Sequence, residues 1–154
     1  MFNVVLVEPE IPQNTGNIAR LCAAAEMQLI IAGKPSFVLH DSHLKRAGLD
    51  YWEYVRLKHE PDLPAFLAQL DMARTFLLTT KAKGRPYTLI QPQPGDFFLF
   101  GRETGGLSRD LLEAHPQACF TIPMKNPQVR SLNLATSVGI VMYHMLSLYN
   151  FGEE

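Results

Sequence analysis

Five short apolar runs, each too brief for a helix and each ended by glycine, proline or polar residues, set the limits on what this chain can fold into. They cover residues 2–7, 29–32, 75–80, 97–100 and 119–122. A continuous apolar run of that length marks a strand buried on both faces. Between the runs, apolar positions recur at the helical period. Ile18, Leu21, Cys22 and Ala25 share one face of a helix capped by Asn14 or Thr15 and running to about Met27. Leu63, Phe66, Leu67 and Leu70 do the same over residues 61–70, a short helix fits 109–114, and residues 42–47 suit a helical turn. A closing helix over residues 132–149 carries Leu134, Val138, Val141, Met142, Met145 and Leu146 on one face. Ile140 and Tyr143 spread its apolar surface to another side, which suits contact with a second subunit. Strands alternating with helices predict an α/β fold with a mainly parallel sheet flanked by helices. The length suits a single domain over residues 1–154.

In such sheets the ligand crevice lies outside the carboxyl ends of the strands. Three loops leaving strands at that end are built unlike ordinary connections. The run Phe100-Gly101-Arg102-Glu103-Thr104-Gly105-Gly106-Leu107 has three glycines and two charges, which cannot help fill a core. It makes a backbone that a ligand can approach closely. The loop from Pro9 to Arg20 has two prolines, then Asn14, Thr15, Gly16 and Asn17 at a helix N-terminus, a geometry that suits an anion or simple capping. The stretch from Ile122 to Leu134 carries Lys125 and Arg130, with Ser131 placed to cap the last helix and Asn133 in its first turn.

Hydrophobic residues at 47% and charged residues at 19% describe an ordinary globular chain, and no apolar run nears the roughly 20 residues that span a bilayer. Residues 1–5 suit a strand better than a signal peptide. Cys22 and Cys119 sit in apolar surroundings, as buried thiols do in a reducing cytosol, so a cytoplasmic location is expected. Net charge is −1, but no acid occurs between Met72 and Gly95 or between Ala114 and Gly152. A locally basic face for nucleic acid is therefore compatible with a near-neutral protein, as is chance clustering on a solvated surface.

Taken jointly, three motifs closely resemble the SPOUT superfamily of RNA ribose methyltransferases. They are Glu8-Pro9-Glu10-Ile11-Pro12-x-Asn14-Thr15-Gly16-Asn17-Ile18-x-Arg20, then Phe100-Gly101-x-Glu103-Thr104-x-Gly106-Leu107, then Ile122-Pro123-Met124 with Arg130-Ser131-x-Asn133-Leu134. Arg46-Ala47-Gly48-Leu49-Asp50-Tyr51 and Leu78-Thr79-Thr80-Lys81 extend the likeness over nearly the whole chain. The match is to the small single-domain type that methylates the 2′-oxygen of the wobble nucleotide, position 34, in tRNA, a cytidine or modified uridine. Gly105 stands where similar proteins often carry arginine, and Arg102 where they often carry proline.

The resemblance implies a deep C-terminal trefoil knot, a rare exception to ordinary chain topology. It implies a homodimer with active sites near the subunit boundary, the tRNA anticodon stem-loop as partner, and no metal or membrane. S-adenosylmethionine would be the methyl donor and S-adenosylhomocysteine the product. The implied cofactor pocket includes Leu78, Gly101, Ile122 and Ser131, with Glu103, Gly106, Met124 and Leu132 nearby. Arg20 is assigned to the acceptor hydroxyl, and Arg130 and Tyr143 to the RNA at the same site. Asn17 and Asn133 are placed to orient the attacking oxygen or the arginines. A guanidinium stays protonated, so Arg20 would act by stabilising an alkoxide rather than as a base.

For RNA, Lys45, Arg46, Lys81, Lys83 and Arg85 are candidate backbone contacts. Tyr51 and Trp52 offer rings for an unpaired base, although Trp52 fits a core or interface position better. Other readings meet obstacles. A nucleotide hydrolase would need the Lys-Ser/Thr ending that the glycine loop lacks. His40-x-x-His43 has no further ligands to complete a metal site. A non-catalytic RNA-binding module would not require Arg20, Arg130, Ser131, Asn133 and Tyr143 together. The same chemistry at another tRNA or rRNA nucleotide stays open.

Overall fold

Alternate residues of each central strand point into two different cores, which is why those strands carry no polar face. In the computed structural model, which describes residues 1–39 and 49–152, six strands form one sheet. They are β1 (Asn3–Val7), β2 (Gln28–Ala32), β3 (Arg56–Glu60), β4 (Thr75–Leu78), β5 (Phe97–Phe100) and β6 (Cys119–Phe120). The order is β3-β2-β1-β5-β4-β6, and every pairing is parallel. Val4 and Leu6 of β1 join Ile18, Phe98, Val138 and Met142 on one side of the sheet. Val5 and Val7 join Phe66, Leu77, Leu99 and Leu112 on the other. Helices α1 (Pro12–Ala24) and α4 (Leu134–Leu148) cover the first face, while α2 (Leu63–Gln69) and α3 (Arg109–Ala114) cover the second.

The helix ends differ from the sequence expectation for identifiable reasons. Pro12 fixes the first turn of α1, so the helix begins two residues before Asn14, and Ile11 is the cap residue with no side-chain bond of its own. The helix stops at Ala24 rather than near Met27, because Glu26 turns left-handed (φ 55°) and the Met27 N–H returns to the Cys22 carbonyl at 2.9 Å. Ser131 does not cap α4. Asn133 does, accepting from the Thr136 N–H at 3.2 Å, so this residue lies outside the helix interior that a 132–149 span assigned to it. β6 ends at Phe120, short of Ile122, and β3 was not foreseen.

The connection between β4 and β5 runs along both sides of β6. On one side the Thr79 N–H donates to the Phe120 carbonyl at 2.9 Å. On the other, the Thr121 N–H donates to the Arg85 carbonyl at 2.9 Å and the Tyr87 N–H to the Thr121 carbonyl at 2.8 Å. A chain flanked in this way by two arms of a single loop is consistent with the expected knot. The turn expected over residues 42–47 lies outside the described residues, as do His40, His43, Lys45 and Arg46.

Candidate functional site

Strand order reverses between β1 and β5: β2 and β3 extend the sheet one way, β4 and β6 the other. Loops leaving neighbouring strands must part there, opening a crevice at the carboxyl ends. A cavity of about 700 Å³ lies at this position, within the range of small-molecule sites. Its wall comprises Leu78, Thr79, Thr80 and Lys81 after β4, Phe100 to Glu103 with Gly105 and Gly106 after β5, and Thr121, Ile122 and Met124 after β6. Arg130 to Leu134 with Ser137 close it from the start of α4, and Ile11 and Asn14 from the start of α1.

Two glycines shape the turn after β5. A Cβ on Gly101 would stand 2.1 Å from the backbone of Gly106 and Leu107, so this glycine admits its own loop folding back over it. The Gly106 N–H closes that fold on the Arg102 carbonyl at 3.1 Å. Gly105 is left-handed (φ 88°), a conformation strained for other residues.

The turn is fastened to the loop after β1 by paired carboxylates. Glu103 accepts from the Glu10 and Ile11 N–H groups, both at 2.8 Å, and from Asn14 Nδ2 at 3.2 Å. Glu10 in return accepts from the Thr104 N–H at 2.8 Å and its hydroxyl at 2.7 Å. The Thr104 backbone bond foremost, then its hydroxyl and the Arg102 charge, hold the Glu10 carboxyl below the usual carboxylate range. Arg102 also meets Glu8 at 2.7 Å, across partly exposed surface where such a pair contributes little. Asn14 Oδ1 accepts from Asn133 Nδ2 at 3.2 Å, so Asn14 touches all three loops.

All eight residues expected in the cofactor pocket line this one cavity: Leu78, Gly101, Glu103, Gly106, Ile122, Met124, Ser131 and Leu132. Glu103, however, has its carboxylate turned to the first loop. Arg130 and Asn133 line the cavity too. Asn17, Arg20 and Tyr143 do not; all three are exposed on α1 and α4. The Arg20 guanidinium lies 4.6 Å from the centroid of the Tyr51 ring and donates to its hydroxyl at 3.4 Å. Trp52 is partly buried against the core, one of the two positions expected for it.

Of the expected RNA-facing cations, Lys81 is at the cavity and Lys83 is exposed. Arg85 is committed elsewhere: it donates to the Cys119 and Gln117 carbonyls at 3.0 and 2.8 Å and packs over Phe120. The Asn14 junction and the Glu10–Thr104 contact escaped the sequence reading. The presence of Pro12 just before Asn14 was the available signal, since it moves the helix start and leaves the Asn14 side chain free for other loops. Thr15 Oγ1 is buried without a partner beside that junction in sequence. Among the described residues no three His, Cys, Asp or Glu side chains are grouped to hold a metal ion. Nor is any helix among them long and apolar enough to cross a membrane.

A parallel sheet with a crevice at its switch point, walled by a glycine turn and the cap of a C-terminal helix, defines a ligand-binding α/β class rather than a single enzyme. Comparison with known proteins narrows it: residues 1–143 match the model of the SpoU rRNA Methylase family, and the chain belongs to that family. A tRNA (cytidine(34)-2′-O)-methyltransferase from Burkholderia pseudomallei is 45% identical, with 93% of this chain and 92% of that protein covered. A structure solved for insights into the 2-OH methylation of C/U34 on tRNA superposes with a TM-score of 0.89 at 39% identity, covering 97% of each chain. An AdoMet-bound rRNA methyltransferase from Sinorhizobium meliloti shares the fold, with a TM-score of 0.83 at 22% identity over 96% of this chain and 56% of that one.

Proposed function

We propose that this chain transfers a methyl group from S-adenosylmethionine to the ribose 2′-hydroxyl of the wobble nucleotide of tRNA, a cytidine or modified uridine at position 34. The observation that carries this reading is convergence: residues from the ends of β4, β5 and β6 and from the cap of α4 wall one cavity. The relatives named for methylation at that nucleotide match nearly the whole chain. The wall also fits the donor chemically. Phe100, Ile122, Met124 and Leu132 suit a purine, and the backbone of the glycine turn suits the polar edge and ribose. Bound there, the donor supplies a methyl on a positively charged sulfur, which needs neither a metal nor a protein nucleophile.

The protein's share of the reaction is then positioning, which is worth up to roughly 7–11 kcal/mol when reacting groups are well aligned. Leu78, Gly101, Ile122 and Ser131 would hold the donor, with Gly106, Met124 and Leu132 around it. Arg130 and Asn133, at the cavity wall, would meet the nucleotide. Arg20 would lower the cost of forming an alkoxide while the proton leaves through phosphate or water, with Asn17 and Tyr143 beside it. These three lie outside the cavity of one chain, which favours a homodimer whose sites form near the subunit boundary. The apolar stripe of Tyr143, Leu148, Tyr149 and Phe151, all exposed, gives a second copy something to cover. We also infer one knotted domain, an anticodon stem-loop as the RNA element bound, S-adenosylhomocysteine as the product, and a cytoplasmic location.

Nucleoside mass spectrometry of tRNA from a strain lacking the protein tests this. Ribose methylation at position 34 should vanish and return with the wild-type gene, but not with Arg20→Ala. Unchanged wobble nucleosides, with a loss elsewhere in tRNA or rRNA, would move the chemistry to another nucleotide.

A further inference from the structure

We propose that Glu10 and Glu103 are positioning residues for the methyl transfer: paired carboxylates, each held by the backbone of the other's loop, that lock the glycine turn of the cavity onto the helix carrying Arg20. This rests on the reading of the cavity as the donor site and of Arg20 as the residue at the acceptor.

The geometry makes the pair reciprocal. Glu103 takes the Glu10 N–H on one oxygen and the Ile11 N–H and Asn14 amide on the other. It thereby serves the start of α1, where Ile11 offers no side-chain cap. Glu10 takes the backbone N–H and hydroxyl of Thr104, the residue that follows Glu103. Neither loop can shift without breaking contacts made by the other. Asn14 extends the lock to Asn133, the cap of α4. Charge-assisted bonds to backbone N–H groups are about twice as strong as neutral ones and directional, so they suit register better than a lone ion pair would. Arg20 lies further along α1, so its reach toward the cavity depends on the seat of that helix's first turn.

Glu10 and Thr104 do not line the cavity. Neither side chain is placed to touch a ligand in the cavity; Thr104 is exposed and Glu10 half-buried, outside both cores, so folding is little at risk. Glu10→Ala is expected to lower kcat about tenfold while KM for S-adenosylmethionine moves less than about threefold, the pattern of lost alignment rather than lost binding. Glu10→Gln keeps an acceptor for the Thr104 N–H and should recover most of that loss. A purely structural role would not produce this split or this rescue.

Hydrogen exchange supplies a readout independent of turnover. In Glu10→Ala without ligand, residues 8–14 and 101–107 should lose protection together. In wild type, S-adenosylhomocysteine should increase protection across residues 8–14 as well as 101–107. In Glu10→Ala the gain across 8–14 should be markedly smaller than across 101–107, though not abolished, because Ile11 and Asn14 still line the cavity and Glu103 still accepts from the first loop. Deprotection confined to one loop, or an 8–14 segment indifferent to ligand in wild type, would overturn the proposal. So would equal losses in kcat and ligand affinity. Failure of wild type to bind the ligand would instead sink the functional reading, and the exchange of the ligand-free proteins would still decide whether the two loops are locked.

Discussion

At the amino ends of β4 and β5, Asp96 is 1% exposed and accepts from Arg74 Nε at 2.8 Å, from a second Arg74 nitrogen and from the Gln93 N–H at 2.7 Å. Asn3 Nδ2 adds a bond to the Gly95 carbonyl at 3.0 Å, and the Tyr149 hydroxyl one to the Pro92 carbonyl. At the carboxyl ends of the same two strands the carboxylates are Glu10 and Glu103, and the space beside them is a cavity. Both ends use charged groups to organise loops. At one end the carboxylate is desolvated and bonded to the chain around it. At the other, the carboxylates stay near water and hold open loops in register. The first arrangement should contribute to stability and little to binding; the second should do the reverse.

The largest effect expected is at the open end. Gly101→Val places a Cβ where the backbone of Gly106 and Leu107 already lies, at 2.1 Å, so the turn must unfold from its strand. Affinity for S-adenosylhomocysteine should fall about 100-fold or more, equivalent to about 2.7 kcal/mol. Thermal unfolding should shift by less than about 5 °C, because, of the turn's residues, Leu107 alone reaches a core and the rest lie at the rim. Calorimetry and a melting curve together test this. Retained affinity would mean the turn is not part of the ligand site, and a collapse in Tm would mean the open end carries stability after all.

Asp96→Ala is the complementary break. It leaves Arg74 at a site where burial disfavours an unpaired charge, and whose basicity is raised chiefly by its bond to Asp96. Arg74 keeps about a third of its side chain exposed, so the cost belongs at the lower end for such pairs, about 3 kcal/mol. For a chain of this size that lowers Tm by about 6–12 °C. Ligand affinity measured well below the new Tm should stay within about twofold of wild type. A large change in affinity would show that the two ends are coupled through β4 and β5.

The two ends also differ in how far the sequence reveals them. Strands β1, β2, β4 and β5 were legible because burial on both faces leaves an unbroken apolar run. β3 was not, because Arg-Leu-Lys-His-Glu lies at the sheet edge, is largely exposed, and alternates like a solvated loop. Lys58 and Glu60 even pair with each other at 3.0 Å on that edge. The residues walling the cavity were legible through the joint motif, whereas the lock between Glu10 and Glu103 was not. The two groups are 93 positions apart, and no periodicity reports a contact made by folding two loops together. Arg85 shows the converse error: a basic residue in an acid-free stretch suggested phosphate, but its carbonyl partners come from the segment around β6, which sequence order does not place beside it.

The smallest effect concerns Arg20, which at the open end rests on Tyr51 rather than in the cavity. The contact has two parts, a cation over a ring at 4.6 Å and a long bond to the hydroxyl at 3.4 Å. At an exposed site the ring contributes roughly 0.5–1 kcal/mol, and a bond of that length less. Tyr51→Phe should therefore change kcat by no more than about twofold, while Tyr51→Leu, which removes the ring, should lower it by about two- to fivefold without altering ligand affinity. Equal losses in the two variants would assign the restraint to the hydroxyl. A gain in kcat for Tyr51→Leu would mean that Tyr51 holds Arg20 away from its working position, making the open end a site that binding of RNA must rearrange rather than one already set.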